Sequence, residues 1–125
     1  MLGCPSKVDV ALGNGDGTFQ TQSPLTVYVP QLASPNGAML VATGDFDLDG
    51  KPDAVVGDYY LGIVQLVLNA DIASNPMNTS GEYKFTLKPG ISGVAVGDLN
   101  GDGLPDIVAV NETTNEISVI LSVKK

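Results

Sequence analysis

The chain contains no arginine, no histidine and no tryptophan, and a single cysteine, Cys4, among its 125 residues. Without histidine it loses the commonest general base and the commonest neutral metal ligand. Ser-His-Asp and Cys-His nucleophiles are thereby excluded, as is any zinc site built on imidazole. One thiol can form neither an internal disulfide nor a thiolate cluster. Six lysines against 14 acidic residues give a net charge of −8, which argues against nucleic acid as a partner, because phosphate contacts need clustered cations. No stretch approaches the roughly 20 apolar residues that span a bilayer. Met1–Cys4 reads M-L-G-C, but the charged and apolar regions of a lipoprotein leader do not precede it, so Cys4 is read as a free thiol. What the chain does hold is hard oxygen in quantity. It is also 43% hydrophobic with 15 Gly and 8 Pro, enough for a core with many turns.

The chain repeats itself. Val41–Asp53 reads V-A-T-G-D-F-D-L-D-G-K-P-D, and Val94–Asp106 reads V-A-V-G-D-L-N-G-D-G-L-P-D, identical at eight of 13 positions and offset by 53 residues. The match runs on without a gap: Ala54–Val56 falls on Ile107–Ala109, and Val64–Leu68 on Ile117–Leu121. An internal repeat of this period points to a repetitive architecture. Within each copy, short runs alternate apolar and polar residues between Gly, Pro, Asn and Asp, which is the strand signature. Strands are expected up to Gly44 and over Asp53–Gly57, Ile63–Leu68 and Tyr83–Leu87, then over Val94–Gly97, Asp106–Val110 and Ile117–Val123. Val8–Leu12 resembles Val64–Leu68, so it reads as the third strand of a copy lacking its first two. Asn14-Gly15-Asp16-Gly17 supplies the positive φ of a tight two-residue hairpin, with a further strand from Thr18 to about Val29. The equivalent hairpin of the next copy is stretched by a polar loop, Ala70–Gly81. The organisation is therefore a partial copy over 7–29, a full copy over 39–88 and a partial copy over 92–123, in one all-β, antiparallel module.

The loops Asp45–Asp53 and Asp98–Asp106 share the form D-x-[D/N]-x-D-G-x-x-D. Oxygens at positions 1, 3 and 5 converge when the backbone turns, Gly at 6 permits the bend, and the carbonyl of position 7 (Lys51 or Leu104) can face the same point. The pattern starts like an EF-hand but ends differently, with Val56 and Ala109 where the bidentate Glu of position 12 would stand. The closing carboxylate is instead Asp53 or Asp106, and a strand follows. Asp, Asn and Gly are also ordinary turn residues. However, three or four carboxylates crowded into nine residues repel, by on the order of 1 kcal/mol per close pair at an effective dielectric near 20. A divalent cation relieves that, and many oxygen ligands on a flexible loop favour calcium over magnesium. Asp45, Asp47, Asp49, Lys51 and Asp53 form one candidate site, and Asp98, Asn100, Asp102, Leu104 and Asp106 the other. With four negative charges against three, the first is expected to bind calcium more tightly. Phe46 and Leu99, at position 2, are expected to anchor their loops to the sheet. Tyr59 and Tyr60 are candidates for stacking on a sugar or protein ligand, or for ordinary cross-strand packing. Asn78-Thr79-Ser80 and Asn111-Glu112-Thr113 have the form of glycosylation acceptors, as expected by coincidence in a chain rich in these residues.

G-D-F-D-L-D-G-K-P-D and G-D-L-N-G-D-G-L-P-D, followed by A-V-V and I-V-A-V, closely resemble the FG-GAP/VCBS repeat, and L-G-N-G-D-G-T-F at Leu12–Phe19 resembles its end. The resemblance implies four-stranded blades of a β-propeller like those of integrin α subunits. It also implies one calcium in each loop that joins the first two strands of a blade, on the ligand sets just named. The Phe-Gly and Gly-Ala-Pro signature of the integrin repeats is not evident here. At 53 residues per repeat the chain holds about 2.4 copies, short of the typical 4–8 blades. The expectation is a non-catalytic, calcium-stabilised module of an extracellular or cell-surface protein, acting in adhesion or recognition. It would be completed by a homo-oligomer or belong to a larger propeller. The alternatives are a propeller lectin and a fragment of a propeller enzyme such as a lyase.

Overall fold

The computed structural model describes residues 6–20, 25–29, 39–69 and 83–124. Its nine named elements are all strands: β1 (Ser6–Val10), β2 (Leu25–Val29), β3 (Met39–Gly44), β4 (Asp53–Asp58), β5 (Ile63–Val67), β6 (Lys84–Thr86), β7 (Ile91–Gly97), β8 (Asp106–Asn111) and β9 (Glu116–Ile120). They form three antiparallel sheets ordered β1-β2, β3-β4-β5-β6 and β7-β8-β9. Sheets of four and three strands, antiparallel between neighbours, match successive propeller blades; among the described residues they do not close into a ring.

Register follows the repeat. Thr43 pairs with Ala54 in β3–β4, and Val96 with Ile107, one repeat further on, in β7–β8. A one-residue irregularity between Ile91 and Gly93 starts β7 before the Val94 expected from alternation. The other observed strands begin or end within a few residues of their expected bounds, except at the amino-terminal hairpin. There, Gly13 bridges Phe19 and the Asn14 N–H donates to the Thr18 carbonyl at 2.9 Å. Three residues, Gly15–Gly17, thus lie inside the closing pair, where a two-residue turn was expected, with both glycines at positive φ. Asp16 uses its Oδ1 to accept from the Thr18 N–H at 2.9 Å, so the loop satisfies its own carboxylate. Cys4, the loop Ala70–Gly81 and the Asn78 acceptor lie outside the described residues.

β4 is buried along its whole length, because it lies inside the four-stranded sheet and both sheet faces are covered. On one face Ala54, Val56, Ile63 and Val67 pack with Val8 and Val10 of β1. On the other, Val55 and Val64 join Ile91, Ile107 and Ala109 of the next sheet, with Phe46, Leu66 and Ile120 around them. β3 and β4 lie against β7. The approach is closest at Gly44: a Cβ there would fall 2.6 Å from Val96 Cγ1 and 3.2 Å from the Phe46 ring, so a side chain at this position would push the sheets apart. The outer face of the last sheet stays open, with Ile117 71% and Val119 50% exposed.

Candidate metal centre

Both acidic loops sit at the same turn of their sheets, between β3 and β4 and between β7 and β8. They are built by the same set of hydrogen bonds. In the first loop, Asp45 accepts the Asp49 N–H on Oδ1 at 3.0 Å and the Gly50 N–H on Oδ2 at 2.9 Å. Asp47 accepts the Asp49 N–H at 3.2 Å, and Asp49 the Lys51 N–H at 2.8 Å. In the second loop Asp98 takes the same two donors, Asp102 N–H at 3.1 Å and Gly103 N–H at 2.8 Å, and adds the Gly101 N–H at 2.7 Å. Asn100 accepts the Asp102 N–H at 3.1 Å, and Asp102 the Leu104 N–H at 2.9 Å. In each loop the side chains at positions 1, 3 and 5 curl the backbone around themselves.

The two loops then differ. Asp45, Asp47 and Asp49 each present a carboxylate oxygen, and these oxygens lie within 4.8 Å of one another. Calcium–oxygen bonds of 2.3–2.6 Å let two ligands of one ion stand up to about 5 Å apart. The spacing and the all-oxygen chemistry of these three groups are compatible with a shared hard cation. In the second loop Asn100 replaces the middle carboxylate, and its Nδ2 donates to Asp102 Oδ2 at 3.1 Å. That amide hydrogen faces the Asp102 carboxylate and partly offsets its charge, a small share of what a cation would do.

Position 9 is buried. Asp53 and Asp106 are 1% and 0% exposed and stand apart from the three-carboxylate cluster as straps. Asp53 accepts the Phe46 N–H at 2.7 Å and the Asn69 N–H at 2.8 Å. Asp106 accepts the Leu99 N–H at 2.9 Å and the Ser122 N–H at 2.9 Å. Burial pushes the Asp53 carboxyl above the ordinary range; the two backbone donors pull it back, and the Asp47 and Asp45 carboxylates raise it further. For Lys51 and Leu104, the hydrogen bonds that shape the loops engage their N–H groups; Leu104 is buried and Lys51 exposed.

Position 2 corrects the expectation of two equivalent anchors. Phe46 is half-buried and packs across to the last sheet, whereas Leu99 is 53% exposed. The difference is one of neighbours: a further sheet lies beyond the first loop, and none of the described residues lies beyond the second. Tyr60 is 52% exposed and meets the half-buried Tyr59 edge-on, ring centroids 5.1 Å apart at 75°. The pair is thus spent partly on itself. Just before it, sequence reasoning missed Asp58, fully buried, with Oδ1 accepting the Tyr60 and Leu61 N–H groups and Oδ2 without a hydrogen-bond partner among the described residues. The repeat held the signal, because Asn111 stands one period later. There Oδ1 accepts the Thr113 and Thr114 N–H groups, while Nδ2 donates to the Lys88 and Pro89 carbonyls at 2.9 and 3.0 Å. Asn111 is also the acceptor of the second glycosylation-like triplet, and its amide nitrogen is committed inside the fold.

No curated protein and no solved structure matches the chain. Family models do match it: an FG-GAP-like repeat over residues 1–56 and an FG-GAP repeat over residues 91–119. With sheets of the same repeat, loops of the same hydrogen bonding and these two matches, the chain belongs to the FG-GAP repeat family.

Proposed function

We propose that this chain is a non-catalytic, calcium-stabilised repeat module of an extracellular or cell-surface protein, serving adhesion or recognition as part of a propeller-like assembly. The observation that carries the calcium reading is the convergence of Asp45, Asp47 and Asp49, whose carboxylate oxygens lie within 4.8 Å of one another. Lys51, through its carbonyl, is the further ligand proposed for the first set; Asp53, assigned to that set by the resemblance, stands outside the three-carboxylate cluster with both oxygens accepting backbone N–H groups. Asp98, Asn100, Asp102, Leu104 and Asp106 make the second. When bound, the ion supplies positive charge to crowded carboxylates and fixes the turn, so that binding free energy adds to folding free energy.

The test is a thermal melt with calcium and with excess chelator. At a calcium concentration a hundred times Kd, one site stabilises by about 2.7 kcal/mol, so the midpoint is expected to fall by several degrees on chelation. Asp49→Asn is expected to weaken calorimetric calcium binding more than Asp102→Asn. A melt unmoved by chelator removes the calcium reading.

A further inference from the structure

Resting on the calcium reading above, we propose that Phe46, at position 2 of the first cation loop, couples that loop to the packing of the following sheet, a route the second loop lacks at its own position 2 because Leu99 is exposed.

Phe46 lies between two metal-ligand candidates, Asp45 and Asp47, and its N–H is tied to the buried Asp53 at 2.7 Å. Its backbone position is therefore set by the loop. Its ring, however, belongs to the core shared with Ile91, Ile107 and Ala109 of the last sheet. Val96 of β7 and Pro105 of the second acidic loop converge with the ring on the bare α-carbon of Gly44. Asp47 and Leu48 extend the same contact, lining with Leu104, Ile107 and Ile120 a groove of about 530 Å³ between the sheets. The first loop is also the less self-sufficient. Its three carboxylates have no amide cross-link of the Asn100–Asp102 kind, and Leu48 holds φ at 60° where the second loop has Gly101 at 76°. An ion that orders this loop thereby orders the ring, and the ring carries that order into β7 and β8. Leu99, in the equivalent place, is exposed and has nothing to carry it to.

Hydrogen–deuterium exchange of β7, read with and without calcium on the whole chain, tests the coupling, with calorimetry recording calcium binding to the same samples. In the wild type, calcium is expected to slow β7 exchange at least about tenfold, as tightened local opening requires. Phe46→Ala is expected to keep its calcium binding yet lose most of that slowing. Phe46→Leu, which keeps an apolar side chain and carries the test should the alanine variant not fold, is expected to lose part of it. Leu99→Ala, at the exposed equivalent position, should leave the β7 response intact. Equal slowing in the wild type and both Phe46 variants would overturn the coupling. So would calcium binding in the wild type without any change at β7, whereas absence of calcium binding altogether would overturn the calcium reading with it.

Discussion

Leu48 and Gly101 occupy one position of the repeat with opposite suitability. The left-handed backbone conformation there costs a residue with a Cβ about 1–2 kcal/mol, and a glycine about 0.5–1 kcal/mol through the freer unfolded chain. Gly101→Ala is therefore expected to destabilise by about 1 kcal/mol, and Leu48→Gly to be neutral or stabilising by up to about 1 kcal/mol. Urea midpoints measured in chelator would show both, free of any linked cation. The pattern D-x-[D/N]-x-D-G made the turn and its carboxylates legible in advance, since a carboxylate that bonds backbone N–H groups two to five residues on is a local matter. The partners of Asp53 and Asp106 were not legible. Asn69 and Ser122 lie 16 residues away from them, and only the folded hairpin brings them back. Asp58 was missed for a related reason: its carboxylate closes a turn that contains no glycine before Gly62 and so carries no loop signature.

At the scale of the element, each hairpin unit is three strands laced at one end by a single buried carboxylate. Asp106 holds the loop leaving β7 through Leu99 and the chain leaving β9 through Ser122, while itself beginning β8. Removing it leaves two backbone donors without an acceptor, and hydrogen bonds to a charged group contribute about 1.5–3 kcal/mol each. Asp106→Ala is expected to lower stability by about 3 kcal/mol or more in chelator, and Asp106→Asn, which keeps one acceptor oxygen, by roughly half of that. Equal losses from the two substitutions, read as denaturant midpoints, would point away from a two-donor strap. Strand positions were readable from alternation because half-buried strands display it. β4 was readable chiefly through its twin: a strand covered on both faces shows an unbroken apolar run, and the repeat identifies Ala54–Val56 with Ile107–Ala109. Which anchor would be buried was not readable, because Phe46 and Leu99 differ in what lies beside them and hardly in themselves.

At the scale of the whole molecule, the sheets are stacked by one repeated relation: a face of one sheet meets the opposite face of the next. Such a contact leaves an open face at the end of any unclosed stack, here the side of the last sheet bearing Ile117 and Val119, with β9 as an unpaired edge among the described residues. An open apolar edge of this kind invites another sheet or aggregation. Light scattering on the isolated chain is expected to show mass above that of the 12.9 kDa chain, and Val119→Lys to reduce it. Seven of the 14 acidic residues lie in the two loops, so two bound calcium ions would take the net charge from −8 to about −4, and association should strengthen with calcium. The Asn111 amide has a different consequence, which concerns the order of events in synthesis. Its nitrogen is free for modification only before the Lys88–Pro89 turn has closed over it. In a host that attaches glycans during translocation, folding and transfer compete for the same atom. Whichever happens first forecloses the other, so material from such a host would divide into a folded, unmodified population and a modified one whose last sheet has lost its hold on the turn before it.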